Sequence, residues 1–385
     1  MGRTYLYIGN RKPGDGAEGI AAYAYDEATG ALTYLRNQTE GLWVGCVHMD
    51  EKKRVLYCTD EREDHPAFRG GGGGQVLAFS VSPADGKLSP LGAQPSYGSK
   101  PSFLTTDEEG KYLLVTNHGG RRSVTQTQRD AGGRIRLKVC RDESSVVLFP
   151  LRDDGGILEP VDLFRLNGEG PKFFQLGAHA HIVRRAPGRN LYAVCDKGGD
   201  QLFLFRVDEG SGRLVLCEGS PYPCRPGSAP RYCVFHPTEP WLYVNKEAET
   251  LLSSFRYDED GRLERIETVN TLPDGYPAPP ADGLSHTDLC IDAAGRRLYV
   301  MLRIADILSV YSIGEKNGAL TLLQTLNTPG GGRAFALSPD GRFLAAAFPE
   351  VHRVDVYSVG SDGRLGEVVS SASQPAPATV SFFQC

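Results

Sequence analysis

The sequence predicts an all-β protein, a seven-bladed β-propeller whose C-terminal strand closes the first blade. Three observations carry this prediction: 46 Gly and 25 Pro among 385 residues, two short phrases that each recur seven times, and a C-terminal segment that resembles the opening strand of a repeat. Scattered Gly and Pro are typical of many short strands joined by tight turns. Four-stranded repeats at intervals of about 40 to 50 residues are typical of propellers. Helices should therefore be nearly absent.

The first phrase consists of an apolar strand, a polar turn and a second strand built around a leucine. The aligned leucines are Leu6, Leu56, Leu113, Leu191, Leu242, Leu298 and Leu344. Most neighbouring copies are 46 to 57 residues apart, but 78 residues separate Leu113 from Leu191. The excess predicts one insertion near residues 119–142, interpreted either as a surface loop or as a flap over the channel mouth.

The second phrase is an alternating apolar strand followed by a turn and Gly-x-Leu. Its glycines are Gly30, Gly86, Gly156, Gly212, Gly261, Gly318 and Gly363. The first copy lacks its leading strand, whereas the C-terminal PATVSFF resembles the leading strand KPSFLTT of the third. We therefore expect residues 1–385 to form one propeller domain that the C-terminal strand closes, which removes the exposed sheet edges of an open array.

Composition excludes several classes of function. The 42 Lys and Arg against 47 Asp and Glu give a net charge of -5, so no basic field draws the whole chain to nucleic acid or to a membrane surface. No apolar run is long enough for a signal peptide or a membrane span, so a cytoplasmic protein is expected. The nine cysteines show no metal-ligand spacing and are expected to be reduced thiols. No cofactor is expected.

The repeat predicts where chemistry is concentrated. In an antiparallel meander the start of the innermost strand and the end of the second strand lie at the same end of the blade, so these residues from all blades should meet around one rim of the channel. The second strands end at Arg11, Glu61, His118, Asp196, Glu247, Arg303 and Pro349. The innermost strands begin at Cys46, Ser102, His179 with His181, Arg231, His286 with Asp288, and Arg333.

Imidazole and guanidinium groups dominate this predicted rim. His179 and His181 are two residues apart in a strand, so both side chains leave the same face and can line the channel. Three arginines are expected to converge, namely Arg231, Arg303 and Arg333. They would oppose a divalent cation, so no metal site is expected even though His179, His181, Glu247 and Asp288 could supply ligands.

Buried arginines need partners, and two interpretations remain open for them. Glu247 and Glu61 could pair with the arginines as structural elements. Alternatively, the arginines face an anionic substrate and Glu247 sets their geometry. In either case we expect a small molecule to bind among the rim residues Arg333, Glu61, His118, Asp196, His286 and Asp288.

Several phrases give the chain a specific resemblance over nearly its whole length. They include YLYIGN, GAHAHIV, SAPRYCVFHP, LYVNKE and ADGLSHTDLCIDAAGRRLYVMLR. The chain resembles the lactonase family of seven-bladed propellers, which includes propeller-type 6-phosphogluconolactonases and the fungal carboxy-cis,cis-muconate cyclase. The resemblance implies an active site of a His, two Arg and a Glu at the channel mouth. Carried over by motif, these fall on His179, with His181 as rival, and on Arg231, Glu247 and Arg303.

Two segments depart from the pattern of that family. The family commonly has Gly-Pro-Arg-His where this chain has Ala229-Pro230-Arg231-Tyr232, and Asn-Pro-Ser where it has Trp43-Val44-Gly45. Both changes are expected at the mouth of the site, so the resemblance does not fix the substrate.

Three functions follow from these expectations. The leading one is hydrolysis of a sugar-type lactone that carries an anionic or polyhydroxyl group: His179 or His181 acts as general base, Arg231 or Arg303 stabilises the oxyanion, and Glu247 orients them. The second is the reverse bond change, closure of a muconate-like diacid to a lactone by the same groups. The third is a non-enzymatic interaction scaffold. A scaffold of the WD type should show Trp-Asp signatures, and neither tryptophan here is followed by Asp.

Overall fold

A computed structural model of the chain describes residues 3–11, 19–65, 67, 70–120, 122–276, 280 and 283–385. In these ranges the chain forms 31 strands and two short 3-10 helices, Arg303–Ala305 and Pro349–Val351. Seven antiparallel sheets form the blades, and one separate hairpin projects from the third. The all-β, seven-bladed prediction is thus confirmed.

The first three blades contain both chain termini. Blade 1 consists of β1 (Thr4–Asn10), β2 (Gly19–Tyr25), β3 (Leu32–Gln38) and the innermost strand β31 (Pro377–Gln384). Blade 2 consists of β4 (Val44–Asp50), β5 (Val55–Asp60), β6 (Gln75–Val81) and β7 (Leu88–Pro95). Blade 3 consists of β8 (Pro101–Thr106), β9 (Tyr112–Asn117), β12 (Ser144–Pro150) and β13 (Asp162–Leu166). Its hairpin is β10 (Ser123–Arg129) with β11 (Ile135–Arg141).

The other four blades run consecutively along the chain. Blade 4 consists of β14 (Ala180–Arg185), β15 (Tyr192–Asp196), β16 (Gln201–Asp208) and β17 (Arg213–Leu216), and β18 (Tyr222–Pro223) also pairs with β16. Blade 5 consists of β19 (Pro230–Phe235), β20 (Trp241–Lys246), β21 (Leu251–Tyr257) and β22 (Leu263–Asn270). Blade 6 consists of β23 (His286–Ile291), β24 (Arg297–Leu302), β25 (Ile307–Ile313) and β26 (Leu320–Asn327). Blade 7 consists of β27 (Ala334–Leu337), β28 (Phe343–Phe348), β29 (Arg353–Val359) and β30 (Leu365–Ser373).

The C-terminal strand closes the ring. Strand β31 pairs antiparallel with β1, with Leu6 opposite Phe382 and Ile8 opposite Val380. It packs against the innermost strands of blades 2 and 7. Both chain termini therefore contribute to one sheet, as expected from the missing leading strand of the first repeat.

The two repeated phrases meet physically between neighbouring blades. The tyrosine that follows the aligned leucine donates a hydrogen bond to a carbonyl in the glycine turn of the next blade. Such bonds run from Tyr7 to Gly86 (2.9 Å), Tyr57 to Gly155 (2.8 Å), Tyr243 to Gly318 (2.9 Å) and Tyr299 to Gly363 (2.8 Å). Gly318 adopts φ +69°, and a Cβ there would lie 2.7 Å from the Trp241 ring. Glycine is required at this turn because only it combines that backbone with the close approach.

Apolar clusters between the blades form the core. The second strand of a blade is buried on both faces, as in β5, where all six residues are buried, whereas the outer β3 is largely half-buried or exposed. Phe164 of blade 3 packs edge-on against Phe203 and Phe205 of blade 4. Burial on both faces accounts for the continuous apolar run at residues 55–58 of β5.

The insertion in blade 3 forms an antiparallel hairpin, β10–β11, whose residues are almost all exposed. Residue 121 within it lies outside the described ranges. All nine cysteines of the chain have free thiols. Among the described residues, no helix has the length and apolar character needed to cross a membrane.

Candidate active site

One backbone hydrogen bond, repeated from blade to blade, builds the rim of the channel. The residue after the second strand donates its N–H to the carbonyl just before the innermost strand. The bonds are Glu61 to Trp43 (2.8 Å), His118 to Lys100 (2.9 Å), Glu247 to Ala229 (2.7 Å), Arg303 to Ser285 (2.9 Å) and Arg11 to Ala376 (3.4 Å). These rim residues therefore occupy equivalent positions and face the same end of the channel.

Blade 4 differs from this pattern by one residue. There Lys197, not Asp196, donates its backbone N–H to the carbonyl before the innermost strand, His179 O, at 3.1 Å. The sequence alignment on Leu191 placed Asp196 at the rim position and did not select Lys197. The only sequence signal for Lys197 is that it directly follows Asp196.

Glu247 is the centre of the first charged cluster. Its Oε2 accepts a bond from Lys197 Nζ at 2.7 Å, and its Oε1 lies 3.2 Å from Arg231 Nε and 3.8 Å from Arg303 Nη2. The Glu247 and Arg231 side chains are about 4% and 3% exposed, whereas Arg303 is 25% exposed. Arg231 also donates to the carbonyl of Thr287. We call these four charged residues, 197, 231, 247 and 303, the Glu247 cluster.

Burial and the neighbouring charges set the pKa values of Glu247 and Arg303. Burial raises the pKa of the Glu247 carboxyl, but the Lys197 and Arg231 cations outweigh burial and lower that pKa to about 2. Burial, and then the Arg231 cation, lower the pKa of Arg303. Three cations thus share one carboxylate, so the cluster has an excess of positive charge available for an anionic ligand or an oxyanion.

Glu61 forms a second charged cluster on the same rim. Its Oε2 lies 2.8 Å from Arg11 Nε and 3.9 Å from Arg333 Nη2. Burial, and then Arg11, lower the pKa of Arg333 to about 10, so this guanidinium is still charged at neutral pH. A Cβ on Gly45 would lie 2.3 Å from Glu61 Oε2, so a side chain at residue 45 would displace the carboxylate. We call Arg11, Glu61 and Arg333 the Glu61 cluster.

Three imidazoles stand beside the Glu247 cluster. The His118 ring stacks on His179 with centroids 4.4 Å apart and meets His181 edge-on at 5.8 Å. His179 Nδ1 lies 2.9 Å from the His118 carbonyl, and His118 Nδ1 lies 2.9 Å from the Gly119 carbonyl. Since a carbonyl only accepts, both Nδ1 atoms are protonated and each Nε2 is the acceptor nitrogen.

Two of these imidazoles are poor proton acceptors. Burial, and then the Lys197 cation, hold the pKa of His118 well below 6.5. Burial, and then the Arg231 cation, do the same for the pKa of His181. His181 also packs against the Tyr232 ring at 5.2 Å, and Tyr232 in turn lies under the Arg231 guanidinium at 4.7 Å. His118 and His181 are therefore neutral at physiological pH.

Three other sequence-predicted residues form hydrogen bonds with neighbouring protein groups, mostly backbone amides and carbonyls. Asp196 Oδ1 accepts from the backbone amides of His179, Gly198 and Gly199, at 2.6, 3.0 and 3.1 Å, and burial raises the pKa of Asp196 to about 6. His286 contacts the Lys246 carbonyl at 2.8 Å and the Thr271 hydroxyl at 2.7 Å. Asp288 accepts from the amides of Leu289 and Phe335, at 2.8 and 3.2 Å. These three position backbone around the site.

The channel continues beyond the site toward the opposite face as a cavity of about 410 Å³. Tyr232, Asp288, Cys46 and Arg184 line it. Of these residues, Tyr232 also packs against the His181 ring at 5.2 Å. In the described ranges, no three His, Cys, Asp or Glu side chains are placed to hold a metal ion.

Comparisons with known proteins identify the family of the chain and several relatives. A curated 6-phosphogluconolactonase of Bacillus subtilis is 25% identical over 380 residues, which cover 98% of this chain and 97% of the relative. Two solved structures share the fold over 99 to 100% of each chain: the periplasmic gluconolactonase of Pseudomonas aeruginosa (22% identity, TM-score 0.82) and a protein from Lactobacillus plantarum (22%, 0.81). The family described as lactonase, seven-bladed β-propeller, matches residues 5–382, and the chain therefore belongs to the seven-bladed lactonase family.

Proposed function

We propose that this protein hydrolyses a sugar-type lactone that carries an anionic group, with 6-phosphogluconolactone as the leading candidate. The observation that carries the proposal is the placement of His179 beside a buried cluster in which three cations share Glu247. The names of the Bacillus and Pseudomonas relatives support the same class of substrate.

His179 is the general base in this proposal. Its Nδ1 donates to the His118 carbonyl at 2.9 Å, which fixes the ring and makes Nε2 the nitrogen that can take a proton from water. Of the pair His179 and His181, the base is assigned to His179 because His179 lines an open cavity, whereas His181 packs between His118 and Tyr232 and burial lowers its pKa. A positioned general base contributes about 10² to 10⁴-fold to the rate.

The reaction proceeds in two steps. First, the water oxygen bonds to the lactone carbonyl carbon while His179 Nε2 takes its proton, and the carbonyl oxygen becomes an oxyanion beside Arg231 and Arg303. Second, the oxyanion collapses, the ring C–O bond breaks, and the departing oxygen receives the proton from His179 Nε2. Charged donors placed where the oxyanion forms are worth about 10² to 10³-fold each.

The remaining charged groups orient the site and bind the substrate. Glu247 holds Lys197 and both oxyanion-binding arginines in place through its two oxygens. Arg333 and Arg11 exceed Glu61 in charge, so the Glu61 cluster is suited to the phosphate or another anionic group of the substrate. In this proposal the Glu247 cluster acts on the reacting carbonyl, and the Glu61 cluster binds the anionic substituent.

Three substrates distinguish the possible functions. We expect hydrolysis of 6-phosphogluconolactone above its spontaneous rate, slower hydrolysis of gluconolactone, and no reaction with carboxymuconate; His179→Gln protein at equal concentration serves as the blank. Lactone formation from carboxymuconate without hydrolysis of either sugar lactone would assign the reverse reaction instead. Failure to convert any of the three would indicate a non-enzymatic scaffold.

A further inference from the structure

We propose that a cleft between the inserted hairpin and residues 173–177 binds an apolar substituent of the substrate, beside the reacting carbonyl. This inference rests on the proposed lactone site and extends its substrate range from sugar lactones to lactones that carry an alkyl or aryl group. We call this cavity the side cleft. It holds about 160 Å³ and is lined by Val139, Arg141, Phe173, Phe174, Leu176 and His179, among others.

The first wall of the side cleft is one face of the hairpin. Residues two apart in a strand share a face, so Val139, which lines the cleft, shares its face with Leu137 and Ile135. These side chains are 55%, 76% and 65% exposed. From Ile135 to Val139 the apolar stripe covers four residue steps, about 13 Å at a rise of ~3.3 Å per residue. It leads from the tip of the hairpin to the mouth of the cleft.

The second wall is the segment that precedes His179. Phe173 and Leu176 are 68% and 56% exposed, and Phe173 packs edge-on against Phe174 at 5.3 Å. Gln175 anchors the segment, because its Nε2 donates to the Lys197 carbonyl at 2.8 Å and its carbonyl accepts from the Gly170 amide at 2.9 Å. The wall is therefore tied to the backbone of a residue in the Glu247 cluster.

The described charged side chains of the side cleft each have a partner. Arg122 pairs with Asp64 at 2.8 Å, Arg141 pairs with Glu169 at 3.5 Å, and Asp142 accepts a hydrogen bond from the Gly120 amide at 3.0 Å. The apolar side chains of both walls consequently dominate its chemistry, in contrast to the excess positive charge of the Glu247 cluster. His179 lines the side cleft. A substituent bound in the cleft can therefore be attached to a lactone ring whose carbonyl lies next to His179. An apolar substituent of the substrate fits this combination better than a second anionic group.

A chain-length series tests the occupant. The n-alkanoates from butanoate to octanoate resemble the carboxylate product with an apolar chain attached, and calorimetry measures their binding without any turnover. Burial of each methylene should tighten binding about two- to fourfold. In the Val139→Ser and Phe173→Ser variants we expect this dependence to fall to less than 1.5-fold per methylene.

The chain offers a matched control for Val139. Val124 lies on the same hairpin, is 59% exposed, and pairs with Cys140, so it occupies the opposite face. The Val124→Ser variant should keep the full dependence on chain length. Equal loss in Val124→Ser and Val139→Ser would attribute the effect to the stability of the hairpin and overturn the proposal.

The other outcomes separate this inference from the proposed function. Absence of alkanoate binding, or binding independent of chain length, overturns the side cleft even if sugar lactones are hydrolysed. If alkanoate affinity depends on chain length but no lactone is hydrolysed, the apolar binding site is supported and the proposed lactonase activity is refuted. Concentration-dependent dimerisation that Val139→Ser abolishes, with no effect of chain length, would show instead that the stripe covers a second copy of the chain.

Discussion

The Glu247 and Glu61 clusters occupy equivalent positions on one rim and yet differ in their surroundings. Both carboxylates follow the second strand of a blade and both pair with an arginine from the start of an innermost strand, Arg231 or Arg333. Glu247 adds the buried Lys197, with a side chain 8% exposed, whereas Glu61 adds Arg11, with a side chain 38% exposed. The repeated blade structure therefore places a carboxylate and an arginine in the same arrangement twice. The Glu247 and Glu61 clusters differ in how far their third member is buried.

The difference in burial suggests a difference in role. In a desolvated cluster, fixed charges act strongly on a developing oxyanion, and the three imidazoles adjoin the Glu247 cluster. The Glu61 cluster is closer to water through Arg11, so its charges are better suited to holding an anionic group in both ground state and transition state.

The largest effect is expected at His179. His179→Gln should lower kcat for the preferred lactone by about 10² to 10⁴-fold, because a glutamine cannot take the proton of the attacking water. Stopped assays corrected for spontaneous hydrolysis measure it. The control is His236→Gln, since His236 is buried elsewhere, with Nε2 2.8 Å from the Gly295 carbonyl. A kcat within threefold of wild type for His179→Gln would refute the assignment of the base.

Removal of the two carboxylates should have unequal effects on stability. Glu247→Gln leaves three cations near one another, two of them almost fully buried, and should lower the free energy of unfolding by about 3 to 5 kcal/mol. Glu61→Gln should cost less, about 1 to 2 kcal/mol, because Arg11 can turn toward water and only Arg333, at 3.9 Å, is left without the carboxylate. Urea denaturation at pH 7 measures both. Equal losses would remove burial as the distinction between the clusters.

The fold could be predicted from the sequence because each repeated phrase has a physical task. The tyrosine beside the aligned leucine and the glycine of the turn are joined by a hydrogen bond between blades, as for Tyr243 and Gly318, so neither can drift without loss of packing. The missing first strand likewise predicted the pairing of β31 with β1. The sequence predicts only a loop or a flap for the insertion, although Ile135, Leu137 and Val139 alternate with polar residues as in a strand. Because both strands are exposed, that alternation does not mark a buried face.

The site could be predicted only where the strands keep their register. The rule that strand ends meet brings Glu247, Arg231 and Arg303 together as expected. It fails in blade 4, where Asp196 binds three backbone amides and Lys197 takes the rim position. Whether an aspartate faces the channel or its own turn depends on hydrogen bonds that composition and spacing do not reveal. The same holds for His286, whose nitrogens contact Lys246 and Thr271.

Acid should weaken the Glu247 side of the rim through His286. Burial lowers the pKa of His286 to about 4 from 6.5, so the unfolded chain binds a proton between these pH values that the folded protein does not. The neutral His286 imidazole contributes its full stabilisation above pH 6.5. As pH falls toward 4, this contribution to the free energy of unfolding decreases by about 1.4 kcal/mol per pH unit. His286→Gln should reduce the slope of unfolding free energy against pH by that amount, as measured by urea titrations from pH 7 to 4.5. The exposed His352→Gln variant, measured alongside, separates burial from substitution, and an unchanged slope in His286→Gln would contradict this linkage.

The smallest effect is expected at Arg333, the counterpart of Arg231 in the Glu61 cluster. Arg333→Met should raise KM for 6-phosphogluconolactone about tenfold and leave kcat within threefold, because a group that binds the anionic substituent equally in ground state and transition state changes KM alone. Gluconolactone, which lacks the phosphate, is the internal control and should change less than twofold in KM. A fall in kcat for both lactones would place Arg333 at the reacting carbonyl and end the division between the two clusters, whereas a selective rise in KM would establish that one rim uses two copies of the same repeat position for binding and for chemistry.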